Sequence, residues 1–97
     1  MKYLLEVADK SGRKIHLTKK QWSHIRKKHP EVENLEDIEQ TLKMPLKIIE
    51  YSIDESVRYY YKNFKHHSPP DNYLLVLVKY LNGEGYVITS YFTEKLK

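Results

Sequence analysis

The chain has 97 residues and a mass of 11.7 kDa, which is enough for one hydrophobic core, so we expect a single domain over residues 1–97. Hydrophobic residues make up 40% and charged residues 31%, and no apolar run reaches the roughly 18 residues that a membrane span needs. The N-terminus lacks a signal-peptide pattern, and the absence of cysteine excludes disulfides and cysteine nucleophiles. We therefore expect a cytoplasmic protein without a membrane partner.

The charges are segregated along the chain, although their sum is only +4. Residues 10–30 contain eight Lys or Arg, three His and no acid, whereas residues 31–39 contain five acids and no base. A second acid-free stretch covers residues 56–70. This segregation favours an anionic partner, with nucleic acid as the first candidate. The alternative is a solvated face of an ordinary basic protein.

The first elements in chain order are a β-hairpin and a helix. Residues 2–8 and 13–17 have the composition of strands, and the turn between them contains Asp, Ser and Gly. Thr18 and Gln21 have the spacing of a capping box, in which the hydroxyl and the amide satisfy free backbone donors. The helix that begins there is expected to end at about His29, because a proline follows.

A second helix and four strands are expected in the rest of the chain. Asn34 is a suitable N-cap, and Pro45 ends the helix. The strand patterns cover residues 46–53, 57–64, 73–80 and 86–93, and residues 65–72 form a mobile loop. The predicted order is ββααββββ. We expect an α+β fold with an N-terminal hairpin, two helices, and then a four-stranded, mostly antiparallel sheet that the helices cover on one face.

Two stripes run along the first helix. Trp22, Ile25 and His29 share the inward stripe, because they are three and four residues apart. The neighbouring basic stripe consists of Lys20, His24, Lys27 and Lys28. His24 is adjacent in sequence to Ile25, so we expect it at the border between the core and the solvent. Such a position suits a histidine that transfers protons at neutral pH. The alternative is that His24 is a solvated surface residue and His29 a satisfied core residue.

The strands carry polar groups that suit a phosphate. Strict alternation on the last strand predicts one face with Val87, Thr89, Tyr91 and Thr93, and an opposite face with Tyr86, Ile88, Ser90 and Phe92. Lys79 ends one apolar face of the preceding strand, where its charge could hold a phosphate. The alternative is that this lysine only extends its ammonium group into solvent. Another strand carries a basic and aromatic face formed by Arg58, Tyr60 and Lys62.

Three segments of the chain match a known pattern. The first is HIRKKHPE at residues 24–31, which follows a strand ending in IHL, and the other two are YLLVLVKY at residues 73–80 and VITSYFTEKLK at residues 87–97. Together they resemble the helix motif and the closing two strands of the phage-associated barnase/EndoU/colicin/RelE-like (BECR-like) nuclease families. The resemblance covers residues 14–97. It implies a small metal-independent domain that cleaves RNA without a cofactor, found as a toxin or phage-associated effector. RNA is the implied partner, with an acidic inhibitor protein as a second partner.

The resemblance also implies functional residues. The implied catalytic set consists of His24, Lys79, Thr89 and Tyr91. The basic surface adds the expected nucleic-acid-binding residues Lys20, Lys27, Lys28, Arg58, Tyr60 and Lys62. We expect His24, Thr89 and Tyr91 to line one groove with Lys79 at its edge, with Arg58 or Lys62 assisting Lys79, and His29 to be structural.

Two other functions stay open at this point. One is a nucleic-acid-binding module without catalysis, in which the nine tyrosines stack on bases. The other is a protein-interaction domain that docks on an acidic partner. No metal site is expected, because His24 and His29 are five residues apart, which separates them by about 140° on a helix.

Overall fold

The computed structural model describes residues 3–64 and 72–94, and its element order confirms the predicted ββααββββ arrangement and the α+β class. The predicted loop at residues 65–72 lies outside the described residues except for Asn72. The elements are β1 (Leu5–Ala8), β2 (Lys14–Leu17), α1 (Lys19–Lys28), α2 (Leu35–Lys43), β3 (Lys47–Glu50), β4 (Val57–Asn63), β5 (Tyr73–Leu81) and β6 (Glu84–Thr93).

All six strands form one sheet in the order β1-β2-β6-β5-β4-β3, so the prediction of a separate four-stranded sheet is wrong. The hairpin joins the sheet because β2 pairs in parallel with β6, through Ile15 opposite Gly85 and His16 opposite Tyr86. The other neighbouring strands are antiparallel. The short parallel pairing leaves most of β6 without a strand partner on that side among the described residues.

Gly85 makes this parallel pairing sterically possible. A Cβ atom at this position would lie 3.0 Å from side-chain carbons of both Tyr80 and Val78, and 3.1 Å from Ile15. The three neighbours are buried in the core, so they have little room to move. The turn before Gly85 is equally constrained, because Asn82 and Gly83 have φ values of 54° and 81°, as a two-residue hairpin turn requires.

Both helices contribute to the core on one face of the sheet. Thr18 accepts a hydrogen bond from the backbone N–H of Gln21 at 3.1 Å, as the capping box predicts. Ile25 from α1 and Ile38 from α2 are fully buried against the sheet. In the described part of the chain, neither helix is long and apolar enough to cross a membrane. The core cluster consists of Val7, Ile15, Leu17, Ile25, Val32, Ile38, Leu42, Tyr60, Phe64, Leu74, Val76, Val78, Tyr80 and Val87.

A β-bulge at Ile88 changes which residues of β6 share a face. Leu77 pairs with Thr89, but its neighbour Val78 pairs with Val87, so one residue of β6 has no partner on β5. Strict alternation is therefore a wrong prediction for this strand. The face away from the helices carries Tyr86, Thr89, Tyr91 and Thr93, and the helix-covered face carries Val87, Ser90 and Phe92.

We expect Gly85→Ala to lower the free energy of unfolding by about 1–3 kcal/mol, because the added methyl group overpacks the contact between β2, β5 and β6. Urea unfolding followed by circular dichroism measures the change. Glu55→Ala, on an exposed turn, is the control and is expected to stay within about 0.5 kcal/mol. Equal stability of the two variants would contradict the steric role of Gly85.

Candidate nucleic-acid interface

Helix α1 presents a basic groove to solvent. We name the α1 groove after its lining residues, which are Lys20, Gln21, Ser23, His24 and Lys27, and its volume is about 350 Å³. The helix contains five Lys or Arg and no acid. His24 is exposed in this groove, so the predicted border position between core and solvent is wrong. The lining residues all come from α1, so the structure does not place His24 in one groove with Thr89 and Tyr91.

His29 is the α1 histidine that meets the sheet. Its backbone N–H donates to the carbonyl of Ile25 at 2.7 Å, which ends the helix, and its imidazole lies with its centroid 5.1 Å from that of Tyr91. Nδ1 of His29 is 3.8 Å from Glu31, and the side chain is 31% exposed. The ring is therefore accessible and stands beside a residue of the predicted catalytic set. The sequence analysis expected the first helix beside this strand through His24, whereas the contact is made by His29.

The sheet face away from the helices is rich in tyrosine, and we call it the tyrosine face. Its members are Tyr59, Tyr61 and Tyr91, together with Thr89 and Lys79. Cross-strand register places Tyr91, Leu75 and Tyr61 in one row and Thr89, Leu77 and Tyr59 in the next. Thr89, Tyr91 and Tyr59 are half-buried, whereas Tyr61 is fully buried.

Lys79 shares the tyrosine face but lies at some distance from Tyr91. It stands two positions along β5 from Leu77, the partner of Thr89, which makes Lys79 and Thr89 diagonal neighbours at about 7–8 Å between their Cα atoms. Tyr91 is opposite Leu75, four positions away from Lys79, or about 13 Å along the strand. The ammonium group of Lys79 pairs with Asp54 at 3.1 Å. The structure thus groups Thr89 with Tyr91 and His29, and places Lys79 at the edge.

Arg58, Tyr60 and Lys62 share a face of β4 as predicted, but it is the helix-covered face, because they pair with Val78, Val76 and Leu74. Arg58 and Lys62 therefore do not assist Lys79. Tyr60 is 2% exposed, which excludes stacking on a base, so its assignment as a nucleic-acid-binding residue is corrected. Lys62 donates to the carbonyl of Met44 at the end of α2, at 3.1 Å.

His16 forms a cluster that the sequence did not indicate. It is 3% exposed, its Nε2 is hydrogen-bonded to Glu84, and its Nδ1 lies 3.1 Å from Glu6 without hydrogen-bond geometry. Its ring is stacked on Tyr3, with 4.1 Å between centroids. The cluster links β1, β2 and β6, with a buried imidazole between two exposed carboxylates. Only the pairing of the three strands brings these residues together, and no local spacing predicts it.

No group of three His, Asp or Glu side chains is placed to hold a metal ion within residues 3–64 and 72–94. The pair of Lys79 and Asp54 is instead organised by hydrogen bonds. Ser56 donates to the Asp54 carboxylate through its hydroxyl at 2.6 Å and its backbone N–H at 3.0 Å. These bonds, followed by the contact with Lys79, lower the pKa of Asp54 from 3.8 to about 2.

The hydroxyl of Ser56 is the largest of these causes, so Ser56→Ala is expected to raise the pKa of Asp54, and Lys79→Gln is expected to raise it as well. Carboxyl-carbon NMR titration of the two variants measures both changes. Because the pKa of Asp54 is lower in the folded state, its stabilising contribution is present above about pH 4 and is lost as the pH falls towards 2. An Asp54 midpoint near 3.8 in the unaltered protein would contradict the hydrogen-bonded geometry.

Comparisons of this chain with protein-family models, with curated proteins and with solved structures found no match.

Proposed function

We propose that this protein is a metal-independent endoribonuclease that cleaves RNA through attack by the 2′-hydroxyl group. The observation that carries the proposal is the contact between His29 and Tyr91, because it joins the acid-free helix α1 to the tyrosine face. One surface region thus combines a titratable group, hydroxyl donors and a row of cations. The resemblance of residues 14–97 to BECR-like nucleases supports the same activity.

The reaction needs three contributions from the protein. A base removes the proton from the 2′-oxygen, which forms a bond to phosphorus while the bond between phosphorus and the 5′-oxygen breaks. An acid then protonates the departing 5′-oxygen, and the products are a 2′,3′-cyclic phosphate and a 5′-hydroxyl. Acid–base catalysis contributes about 10²–10⁴ to the rate, and donors fixed around the developing charge contribute a similar factor.

The geometry favours His29 for the acid–base role over His24, which the sequence favoured. His29 is half-buried beside Tyr91, where a bound phosphate would also meet Thr89, whereas His24 is exposed among the lysines of the α1 groove. We assign His24 to binding of the RNA backbone together with Lys20 and Lys27, and Lys28 follows them in the last turn of α1.

The remaining members of the tyrosine face fit phosphate and base binding. Thr89 and Tyr91 donate hydrogen bonds to phosphate oxygens. Lys79 supplies positive charge from a position two residues along β5 from Leu77, the partner of Thr89. A cavity of about 330 Å³ next to Tyr59 is lined by Ile49, Glu50, Tyr51 and Ser52. Its two tyrosine rings meet edge to face with 5.9 Å between centroids. Such a cavity suits a base that stacks on an aromatic ring.

A second candidate function is an RNA-binding module without catalysis. One specific observation favours it: Lys79, which would otherwise neutralise the phosphate, is already paired with Asp54. This module would use the same tyrosine face and α1 groove. The two candidates differ only in whether the bound RNA is cut, so variants of the two histidines separate them.

We expect cleavage of single-stranded RNA to persist in excess chelator, to yield a 2′,3′-cyclic phosphate, and to stop when the cleaved position carries a 2′-O-methyl group. His29→Ala is expected to lower the cleavage rate about 100-fold or more with little change in RNA affinity, because it removes the proton-transfer group. Thr89→Val and Tyr91→Phe are expected to have smaller effects, because each removes one hydrogen bond.

His24→Ala is the matched control, since it removes a histidine of the same helix that lies in the α1 groove. It is expected to weaken RNA binding and to leave the cleavage rate of bound RNA within a few-fold of the unaltered protein. A large rate loss with His24→Ala and none with His29→Ala would reverse the assignment. RNA that binds but stays intact would establish the non-catalytic module.

RNA affinity is expected to fall steeply with salt, because each neutralised phosphate releases counterions. Reversing Lys27 and Lys28 to Glu should weaken binding to all sequences alike and reduce the slope of log affinity against log salt. Fluorescence anisotropy with a labelled 2′-O-methyl RNA measures both effects without cleavage. An affinity that does not change between low and high salt would favour an acidic protein partner instead.

A further inference from the structure

A small cationic pocket lies on the sheet face opposite Thr89 and Tyr91, where the β1–β2 turn approaches β3 and β4. We call it the hairpin pocket, and its volume is about 130 Å³. Three cations reach it, Lys10 and Arg13 from the turn and Arg58 from β4, and Asp9, Ser11, Ile48 and Tyr60 complete its lining. None of the roles in the proposed ribonuclease reaction uses it.

The Asp9 carboxylate keeps its negative charge in the hairpin pocket, but its two oxygens are already used by other hydrogen-bond donors. Its Oδ1 accepts from the backbone N–H groups of Ser11 and Arg13, both at 2.9 Å, and from the Ser11 hydroxyl at 2.7 Å. Its Oδ2 accepts from Arg13 Nε at 3.2 Å and from the Tyr80 hydroxyl at 3.0 Å. Five donors thus use the acceptor capacity of one carboxylate. Burial acts to raise the pKa of Asp9, but these hydrogen bonds outweigh it and the pKa is lowered.

Two tyrosines fix the base of the hairpin pocket. The hydroxyl of Tyr80 donates to Asp9 and therefore accepts from the hydroxyl of Tyr60, at 2.5 Å. Burial raises the pKa of both phenols, so both keep their protons. The guanidinium carbons of Arg13 and Arg58 lie 4.0 and 5.2 Å from the centroid of the Tyr80 ring. The same ring therefore orients both cations.

The two guanidinium groups keep donors for a ligand. Arg13 uses Nε for Asp9 and Ser11, and its terminal nitrogens have no hydrogen bond to any residue that the structure describes. Nε of Arg58 is buried without an acceptor in residues 3–64 and 72–94, and the contact of this side chain with Glu50 is a surface pair at 3.3 Å. A ligand in the pocket would therefore be bound by the terminal nitrogens of Arg13 and Arg58, of which only one has a hydrogen bond, to Glu50, among the described residues.

We propose that the hairpin pocket binds a phosphate group, with Arg13, Arg58 and Lys10 as donors to its oxygens. A cavity of about 130 Å³ is well below the roughly 300 Å³ of pockets that enclose whole organic ligands, so the pocket takes the phosphate alone. The three positive charges of the pocket exceed the single negative charge of Asp9 by two, which complements a dianion, and guanidinium groups match phosphate oxygens in pairs. The phosphate is either free or the terminal group of a nucleotide or RNA chain.

Thermal unfolding of the full chain tests the proposal with inorganic phosphate, against chloride at matched ionic strength. Phosphate is expected to raise the unfolding midpoint by several degrees as it saturates, because it binds only the folded state. Arg58→Gln is expected to weaken the phosphate affinity about tenfold or more. Lys47→Gln is the matched control, because it makes the same charge change on the opposite face of β3 and should leave the affinity unchanged.

Lys10→Gln keeps the test decisive if Arg58→Gln does not fold, because Lys10 is exposed and has no hydrogen bond or ion pair among the described residues. It is expected to weaken phosphate binding several-fold. Two 2′-O-methyl hexanucleotides, one with a 5′-phosphate and one with a 5′-hydroxyl, distinguish the sources. If the protein prefers the phosphorylated oligonucleotide over inorganic phosphate and Arg58 is required for this preference, the ligand is an RNA end. If its affinities for the phosphorylated oligonucleotide and for inorganic phosphate are equal, the ligand is a free phosphate.

Three results would overturn the proposal. The first is a midpoint that phosphate raises no more than chloride does. The second is an equal loss of phosphate affinity in Lys47→Gln and in the pocket variants. The third is Arg58-dependent binding of a hexaglutamate peptide without any effect of phosphate, which would identify an acidic protein as the partner. Each of these leaves the ribonuclease proposal unaffected, since the cleavage assays read out His29 and the tyrosine face.

Discussion

The contact of β2 with β6 at Gly85 is the constraint on which the other features depend. The absent side chain lets Ile15, Val78 and Tyr80 close over the glycine, and this closure attaches the N-terminal hairpin to the sheet. Because β2 ends at Leu17 and α1 begins at Lys19, the helix must run beside the unpaired part of β6, where Gln21 donates to the carbonyl of Ile88. The position of His29 beside Tyr91 and the position of Asp9 beside Tyr80 both follow from this contact between β2 and β6.

Charge and burial distinguish two candidate binding regions on opposite faces of the sheet. At the edge of the tyrosine face, the C-terminal end of the cationic helix α1 brings His29 against Tyr91, and the proposed ligand there is a long flexible polyanion. In the hairpin pocket, the cations are oriented by one aromatic ring and one saturated carboxylate, which suits a compact anion. Both proposals rely on the same attraction between guanidinium or ammonium groups and phosphate, but only the hairpin pocket would restrict the ligand by size.

Local signals in the sequence account for what could be predicted. The capping box at Thr18, the prolines after both helices and the apolar periodicities gave the element order, since each acts within a few residues. The parallel pairing and the bulge at Ile88 involve residues about 70 and 11 positions apart, and no local pattern encodes them. The sequence therefore predicts an accessible Tyr60, although the helices cover it. Helix periodicity places His29 on the inward stripe of α1, whereas the resemblance to nucleases implies His24 as the catalytic histidine.

The bulge at Ile88 also bears on how sequence change affects the two faces of β6. The extra residue decides that Tyr86 joins Thr89 and Tyr91 on the outer face while Val87 and Ser90 enter the core. Loss of Ile88 alone would leave Val87 opposite Val78 and Thr89 opposite Leu77, so the ladder would become regular and neither face of β6 would exchange its residues. Such a deletion would instead disturb the contact with α1, because Gln21 donates to the carbonyl of Ile88. The bulge is therefore the place where β6 can shorten without turning its hydroxyl row into the core.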